Sequence, residues 1–364
     1  MESKLEQEAG SNQQDQAVSE DEPQPSQVWL LPELLDRIAG FMSPNDICCT
    51  LRPISKATVA QFSNYTTVRL SASVPHGTFA QKWDNPDAMR GLTLRQRRNF
   101  LNLTARSGNL ENLQLAAKVA GCTLTIDLFE AAASGGQVHI CTWLRQEGCP
   151  WGWQVTAAAA RAGQLETLKY LHQEGCCLGD AALEAAALTG HRSICEWLLD
   201  NNGGWSFWAI CAAARGGHDD LMEWLLLRLI GPVLPATSLC VLLLEAVAEG
   251  CDLPTLQRVQ TDYLTITEAQ GGSGAFFNPV RGIDIHPDLN GRLLSAAVAS
   301  PTPDWQDKVK WLLSLPQSPI GTGGSGNGSF TCAKAAALPD ALSRLRWLSQ
   351  LQKQQPQQQQ QRQQ

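Results

Sequence analysis

Five glycines, Gly108, Gly136, Gly163, Gly190 and Gly217, recur at intervals of 28, 27, 27 and 27 residues. A fixed period of this length marks an array of like supersecondary units, and it constrains the architecture before any single motif does. In register, the third unit reads VTAAAARAGQLETLKYLHQEGC and the fourth ALEAAALTGHRSICEWLLDNNG. The shared frame is Ala-Ala-x-x-Gly, a Leu-bearing stretch ending in an aromatic and Leu, then a second glycine. Leu165, Leu168 and Leu171 lie three apart and, with Tyr170, form one apolar face over two helical turns. The preceding VTAAAARA predicts a short helix of small side chains, closed by Gly163 in the left-handed conformation common at helix C-termini. Each unit therefore reads as helix, tight turn, helix, loop. Two such helices cannot bury their apolar faces alone, so neighbouring units must stack into an all-α helical solenoid.

After Gly217 the frame degrades without vanishing. LLLEAVAEG (242–250), LLSAAVAS (293–300) with VKWLL (309–313), and AKAAALPDALSRLRWL (333–348) read as three further units. Gly-rich insertions at 270–291 and 317–329 fall between units, where loops are tolerated. The formal charge of −7 is mostly local. Residues 1–27 hold seven acids against Lys4, and with few large apolar groups they predict disorder. The Gln-rich stretch 351–364 is low in complexity and predicts the same. What remains is near neutral and has no basic stripe to follow phosphates, which argues against nucleic acid as a partner. Leu221 to Ala248 is apolar enough to suggest a membrane span, but Glu223, Arg228, Pro232, Pro235 and Glu245 interrupt it, so no membrane is expected.

The twelve cysteines contain no Cys-x-x-Cys. Cys122, Cys149 and Cys176 recur 27 apart, each after a glycine, and read as a small packing position, not as metal ligands or disulfide partners. With no signal peptide in view, the compartment reads as reducing, cytoplasmic or nuclear. Histidines at 76, 139, 172, 191, 218 and 286 form no nucleophile–base pattern. The GGSG and GTGGSGNG runs lack a following Lys-[Ser/Thr], so they do not read as phosphate loops. No catalytic residue, cofactor or metal is expected, and no enzyme.

The Ala-Ala-x-x-Gly frame, the literal Gly190-His191 and Gly217-His218, the Leu-rich second helix and the closing glycine together resemble ankyrin repeats. The units lack Thr-Pro-Leu-His and run about six residues short of the usual 33. The resemblance implies that His191 and His218 hydrogen-bond loop backbone, and that the array binds a protein partner. Trp143, Tyr170, Trp197 and Trp224 lie seven residues after the marker glycines, with Trp311 and Trp347 equivalent, and are expected as inter-repeat core. Trp151 and Trp205 align with Leu178 as loop packing. Two positions vary within the regular frame: Ile126, Trp153, Asp180 and Phe207, and Arg106, Ser134, Arg161, Leu188 and Arg215. Such positions are expected to face solvent, which makes Trp153, Asp180, Phe207, Arg161 and Arg215 the partner-binding candidates.

Upstream, LPELLDRIAGFMSPNDICCTLRPISK (31–56) is similar to an F-box. It departs by one extra residue between Asp46 and Lys56, by Pro53 in the third helix and by Ala57 where a Trp is usual. This resemblance implies docking of a Skp-type adaptor and a cullin through Leu31, Pro32, Leu34, Leu35, Ile38, Phe41 and Ile47. The chain would then be a substrate receptor of a ubiquitin ligase. The alternative is a scaffold whose N-terminal helices only cap the solenoid. The expected organisation is an acidic tail (1–27), an F-box-like module (28–65), a connecting segment (66–98), the repeat array (99–350) and a Gln-rich tail (351–364).

Overall fold

The computed structural model describes residues 31–85, 87–230, 237–269, 287–315, 336 and 338–361. The acidic tail, residues 270–286 of the first insertion and all of the second lie outside them. The chain divides into two compact units, Met1–Arg69 and Leu70–Gln364. No strand occurs among the described residues.

In the first unit, Pro32 opens α1 (Pro32–Ala39), where its missing N–H costs nothing. Ser43 then caps a winding segment from Pro44 to Ile54 by accepting from the Asp46 amide at 3.2 Å. That segment widens into a π turn at Ile47–Leu51 and tightens to 3-10 geometry at Arg52–Ile54. A π turn takes up one residue more than an α turn. Ser55 and Thr58 then form a reciprocal capping box that starts α2 (Lys56–Gln61). Gln61 Nε2 donates to the Pro32 carbonyl at 2.8 Å and to Asp36 Oδ1 at 2.7 Å, tying α2 to α1. Leu35, Ile47, Leu51 and Phe62 make the buried core, with Ala39, Met42 and Tyr65 packed around it.

The second unit opens with α3 (His76–Trp83). Residues 66–98 were expected merely to connect, yet from Val74 onward they pack on the first repeat. Phe79 stacks on Phe100 at 5.8 Å, Trp83 meets Phe100 at 4.5 Å, and Val74 and Met89 are buried. Asn112, also buried, donates to the Val74 carbonyl at 2.8 Å. A terminal repeat would otherwise leave one apolar face in water, and these side chains cover it.

The units follow as helix pairs: α4 (Leu94–Ser107) with α5 (Leu110–Ala120), α6 (Ile126–Ser134) with α7 (Val138–Gln146), and α8 (Trp153–Arg161) with α9 (Leu165–Gln173). Next come α10 (Asp180–Leu188) with α11 (Arg192–Asp200), and α12 (Phe207–Arg215) with α13 (Asp219–Leu229). Then α14 (Thr237–Gly250) pairs with α15 (Leu253–Ala269), α16 (Pro287–Ala299) with α17 (Trp305–Ser314), and α18 (Ala341–Gln361) ends the array. First helices pack on first helices much more closely than second helices pack on each other. The alanine pairs explain this, because small side chains let helix axes approach. Ala132-Ala133, Ala159-Ala160, Ala186-Ala187 and Ala213-Ala214 are all fully buried.

The marker glycine has two jobs. It takes φ of +76, +78, +76 and +73° at 136, 163, 190 and 217, a left-handed conformation that closes the first helix. The next amide then bonds back, as His191 N does to the Ala186 carbonyl at 2.9 Å. The following unit also leans on it. A Cβ at Gly136 would meet Gln164 Oε1 at 2.6 Å, and one at Gly190 would meet the His218 ring at 2.6 Å. The residue after each marker thus covers the marker of the unit before. Where the closing-glycine series 121, 148, 175 reaches 202 the chain has Asn202, which holds φ +55° in its place. Asn tolerates that region better than most residues.

The register aromatics correct the expectation of a core position. Trp143, Tyr170, Trp197, Trp224, Trp311 and Trp347 are all only half-buried. The core positions are one residue later, at fully buried Leu144, Leu171, Leu198 and Leu225. The aromatics instead link adjacent units along the outer layer. Thr142 Oγ1 donates to the Tyr170 hydroxyl at 2.9 Å, His172 meets Trp197 edge-on at 5.6 Å, and Arg192 lies over Trp224 at 5.0 Å. A bulky ring at the splayed second-helix layer fills the gap between units while keeping one edge wet.

In the later units the turn is built differently. Lys308 is fully buried, and its ammonium donates to the Ala248 carbonyl at 3.1 Å, the Cys251 carbonyl and Ser300 Oγ at 2.7 Å. It thereby caps the C-terminus of α14, where a cation is favoured by the helix dipole. Burial holds the Lys308 pKa below the usual ammonium range, while Asp304 at 3.9 Å works the other way. Arg344 repeats the device one unit on. It donates to the Val298 and Ser300 carbonyls at 2.5 and 2.9 Å, pairs with both oxygens of Asp340 and lies over Trp305 at 4.6 Å.

Candidate protein-interaction surface

On the first helices of the regular units, buried columns leave one exposed edge at the loop-side end. Trp153 opens α8 with 49% of its surface exposed, and Asp180, also exposed, opens α10. They are neighbours in the stack: a Cβ on Gly179 would meet Trp153 Cβ at 3.3 Å, and one on Gly204 would meet the Asp180 carboxylate. Phe207, the third member of that column, corrects its expectation as a surface residue, being only 4% exposed. Ser206 caps α12 by accepting from the Trp208 amide at 3.2 Å, and the ring at 207 turns into the stack. The adjacent Trp208 is 48% exposed in its place. Sequence reasoning missed Trp208 because its column, Asp127, Gln154 and Ala181, has no aromatic precedent.

Glu130 and Glu184 lie in the same half of the first helices. Burial raises the Glu130 carboxyl above the ordinary carboxylate range, and the charge of Asp127 adds to the effect. Glu184 accepts from Ser206 Oγ at 2.7 Å. At the other end of the same helices stand Arg106 and Arg161, both exposed, and Arg215, half-buried and 4.0 Å from Glu249. Trp151 and Trp205, expected as loop packing, differ. Trp151 packs on Phe129 at 5.9 Å under Arg145 at 4.1 Å, whereas Trp205 is 59% exposed and donates Nε1–H to the Leu229 carbonyl at 3.1 Å. Trp205 also borders a cleft of about 370 Å³ with Leu199, Asn202, Gly204, Arg228 and Leu229.

In the first unit, the seven docking candidates separate into two groups. Leu35 and Ile47 are core residues at 2% exposure each. Leu31, Leu34, Ile38 and Phe41 project outward at helical spacing, exposed by 46, 36, 37 and 94%, and Pro32 is exposed beside them. An α-helix three to four residues per turn cannot bury both faces in so small a core, so one apolar stripe stays in water.

The buried thiols of the repeats are held in the protonated form. Cys149 and Cys176 are buried, donate Sγ–H to the Thr125 and Gly152 carbonyls at 3.4 Å, and have pKa values pushed up to about 11 by burial. Cys141 and Cys195 are pushed to about 12 by the same cause. A thiol held protonated is a poor nucleophile and a poor metal ligand. Among the described residues no group of three or more His, Cys, Asp or Glu could hold a metal, and no helix is long and apolar enough to cross a membrane.

These features define an all-α solenoid of stacked ankyrin-like helix pairs, a class whose members act as protein–protein interaction modules. Residues 128–208 match the family model described as "Ankyrin repeats (3 copies)", so the segment bearing Trp153, Asp180 and Phe207 consists of ankyrin repeats. No curated protein matches the chain in sequence.

Proposed function

We propose that the repeat array recognises a protein partner through the exposed loop-side edge of α6, α8, α10 and α12, and that residues 28–65 form an F-box-like module joining the array to a Skp-type adaptor and a cullin. In this reading the chain is a substrate receptor and carries no catalytic group of its own. The observation that supports it most is the stripe of Leu31, Leu34, Ile38 and Phe41. Four apolar side chains held in water along α1 and its two flanks, on an element that already buries Leu35, are costly without a partner. Trp153 and Trp208 play the same part on the array, and exposed aromatics are the usual anchors of interfaces. The capping alternative is less favoured because Val74, Phe79 and Met89 of the second unit already cover the first repeat.

The test is co-purification from cells with the full chain and its Leu34→Asp/Ile38→Asp variant. Adaptor and cullin should accompany the wild type and be lost from the variant, while the helical content of both stays alike. Absence of adaptor and cullin from the wild type would remove the ligase part of the reading and leave a recognition scaffold.

A further inference from the structure

The loop-side edge has a charge pattern of its own. Residues 121–130, 148–157, 175–184 and 202–211 span the loops and first halves of α6, α8, α10 and α12. They carry Asp127, Glu130, Asp180 and Glu184 and not one Lys or Arg. The same forty residues contain Trp151, Trp153, Trp205 and Trp208, three of them about half exposed or more. The cations of this region lie elsewhere on the units: Arg145 is stacked on Trp151, and Arg161 and Arg215 occupy the last turns of their helices, Arg161 near enough to act on the Glu130 carboxyl. The inner helices are therefore polarised, with indoles and carboxylates at one end and guanidinium groups at the other.

We infer that this indole-and-carboxylate edge receives a cationic segment of the partner, with Lys or Arg side chains seated over Trp153 and Trp208 and paired with Asp127 and Asp180. The inference rests on the recognition reading above and adds the chemistry of what is recognised. A guanidinium over an indole face is attracted by the ring quadrupole, and the exposed carboxylates of Asp127 and Asp180 on the neighbouring first helices add Coulomb attraction without demanding burial of either charge. Exposed carboxylates with no lysine or arginine among them repel an acidic or phosphorylated segment, so the pattern selects as well as attracts.

The test uses the full chain with labelled octaarginine and octaglutamate peptides, followed by fluorescence anisotropy at low ionic strength. Octaarginine should bind, and both Trp153→Ala/Trp208→Ala and Asp127→Asn/Asp180→Asn should weaken it about tenfold with unchanged circular dichroism. The acids at Glu2 to Glu22 also attract a polycation, but neither variant alters them, so the loss reports the edge alone. Octaarginine affinity that is absent, or identical in wild type and both variants, overturns the inference. Octaglutamate binding that depends on Trp153 and Trp208 also overturns it, while leaving the edge standing as a recognition surface. That outcome separates failure of the charge assignment from failure of the recognition reading.

Discussion

The regular units from α4 to α13 and the later units from α14 to α18 build the same stack with opposite chemistry at the turn. In the regular units, a left-handed glycine closes the first helix, and at Gly108, Gly136, Gly163 and Gly190 a Gln or His from the next unit lies over it. In the later units no glycine takes that conformation among the described residues. A buried cation from the following second helix satisfies the loose carbonyls instead. Both solutions meet one requirement, that the last carbonyls of a buried helix find donors. They differ in tolerance. A glycine turn is closed by backbone and leaves the side chains around it free to vary, so the exposed edge can differ from unit to unit. A buried cation commits the side chains around it, such as Ser300, Asp304 and Asp340, to one arrangement. Variable surface belongs with the first solution, and an anchored end of the stack with the second.

The comparison can be broken at the core, at either kind of turn, or at the surface. Leu198→Ala, at a fully buried position in the regular region, should lower stability by about 2–5 kcal/mol. Trp197→Ala should cost less than Leu198→Ala, because Trp197 is only partly buried whereas Leu198 is fully buried. Thermal melts of both that reverse the order would return the core to the aromatic column. Lys308→Met should cost about 2 kcal/mol, since it strands two carbonyls and a hydroxyl but also relieves the burial of a charge. Denaturant melts should show the loss, and hydrogen exchange should place it in α14, α16 and α17.

Gly190→Ala should cost about 1–2 kcal/mol for the left-handed backbone alone, with more added if the His218 ring cannot move. A double variant with His218→Ala recovers only the second part, and equal losses in the two would remove the covering role. Smallest is Glu130→Gln. The raised pKa means that the fold prefers the protonated carboxyl, so the native Glu contributes least above its folded pKa and most below the unfolded value near 4.5. The amide should therefore be slightly more stable than wild type at neutral pH, with the gap closing in melts as pH falls through the folded pKa and gone below 4.5.

How much of this was legible in the sequence depends on what repeats. Periodicity revealed the helix pairs, the left-handed Gly163, the small packing cysteines and the exposed Trp153 and Asp180, because each is fixed by the unit and copied. It misplaced the aromatic column, since conserved spacing marks a shared environment without saying which layer that environment is in. Phe207 was misread and Trp208 passed over: Ser206 caps the helix just before the two adjacent rings, of which Phe207 turns inward, and periodicity cannot see which one does. The buried cations did leave a signal. Lys308 and Arg344 lie three residues before Trp311 and Trp347, the register that Ile140, Ile194 and Leu221 hold before their own tryptophans. A charge in a column of buried apolar residues marks a polar group needing a donor.

The central claim is that the regular units recognise and the later ones hold the end of the stack. The most direct measurement sets Trp153→Ala/Trp208→Ala against Lys308→Met in the full chain, scoring proteins captured by proximity labelling alongside melting temperature. The account predicts that the tryptophan pair loses captured partners at an unchanged melting temperature, while Lys308→Met melts earlier and, well below its transition, captures the same set. A tryptophan pair that keeps every partner, with Lys308→Met losing them while still folded, would contradict it.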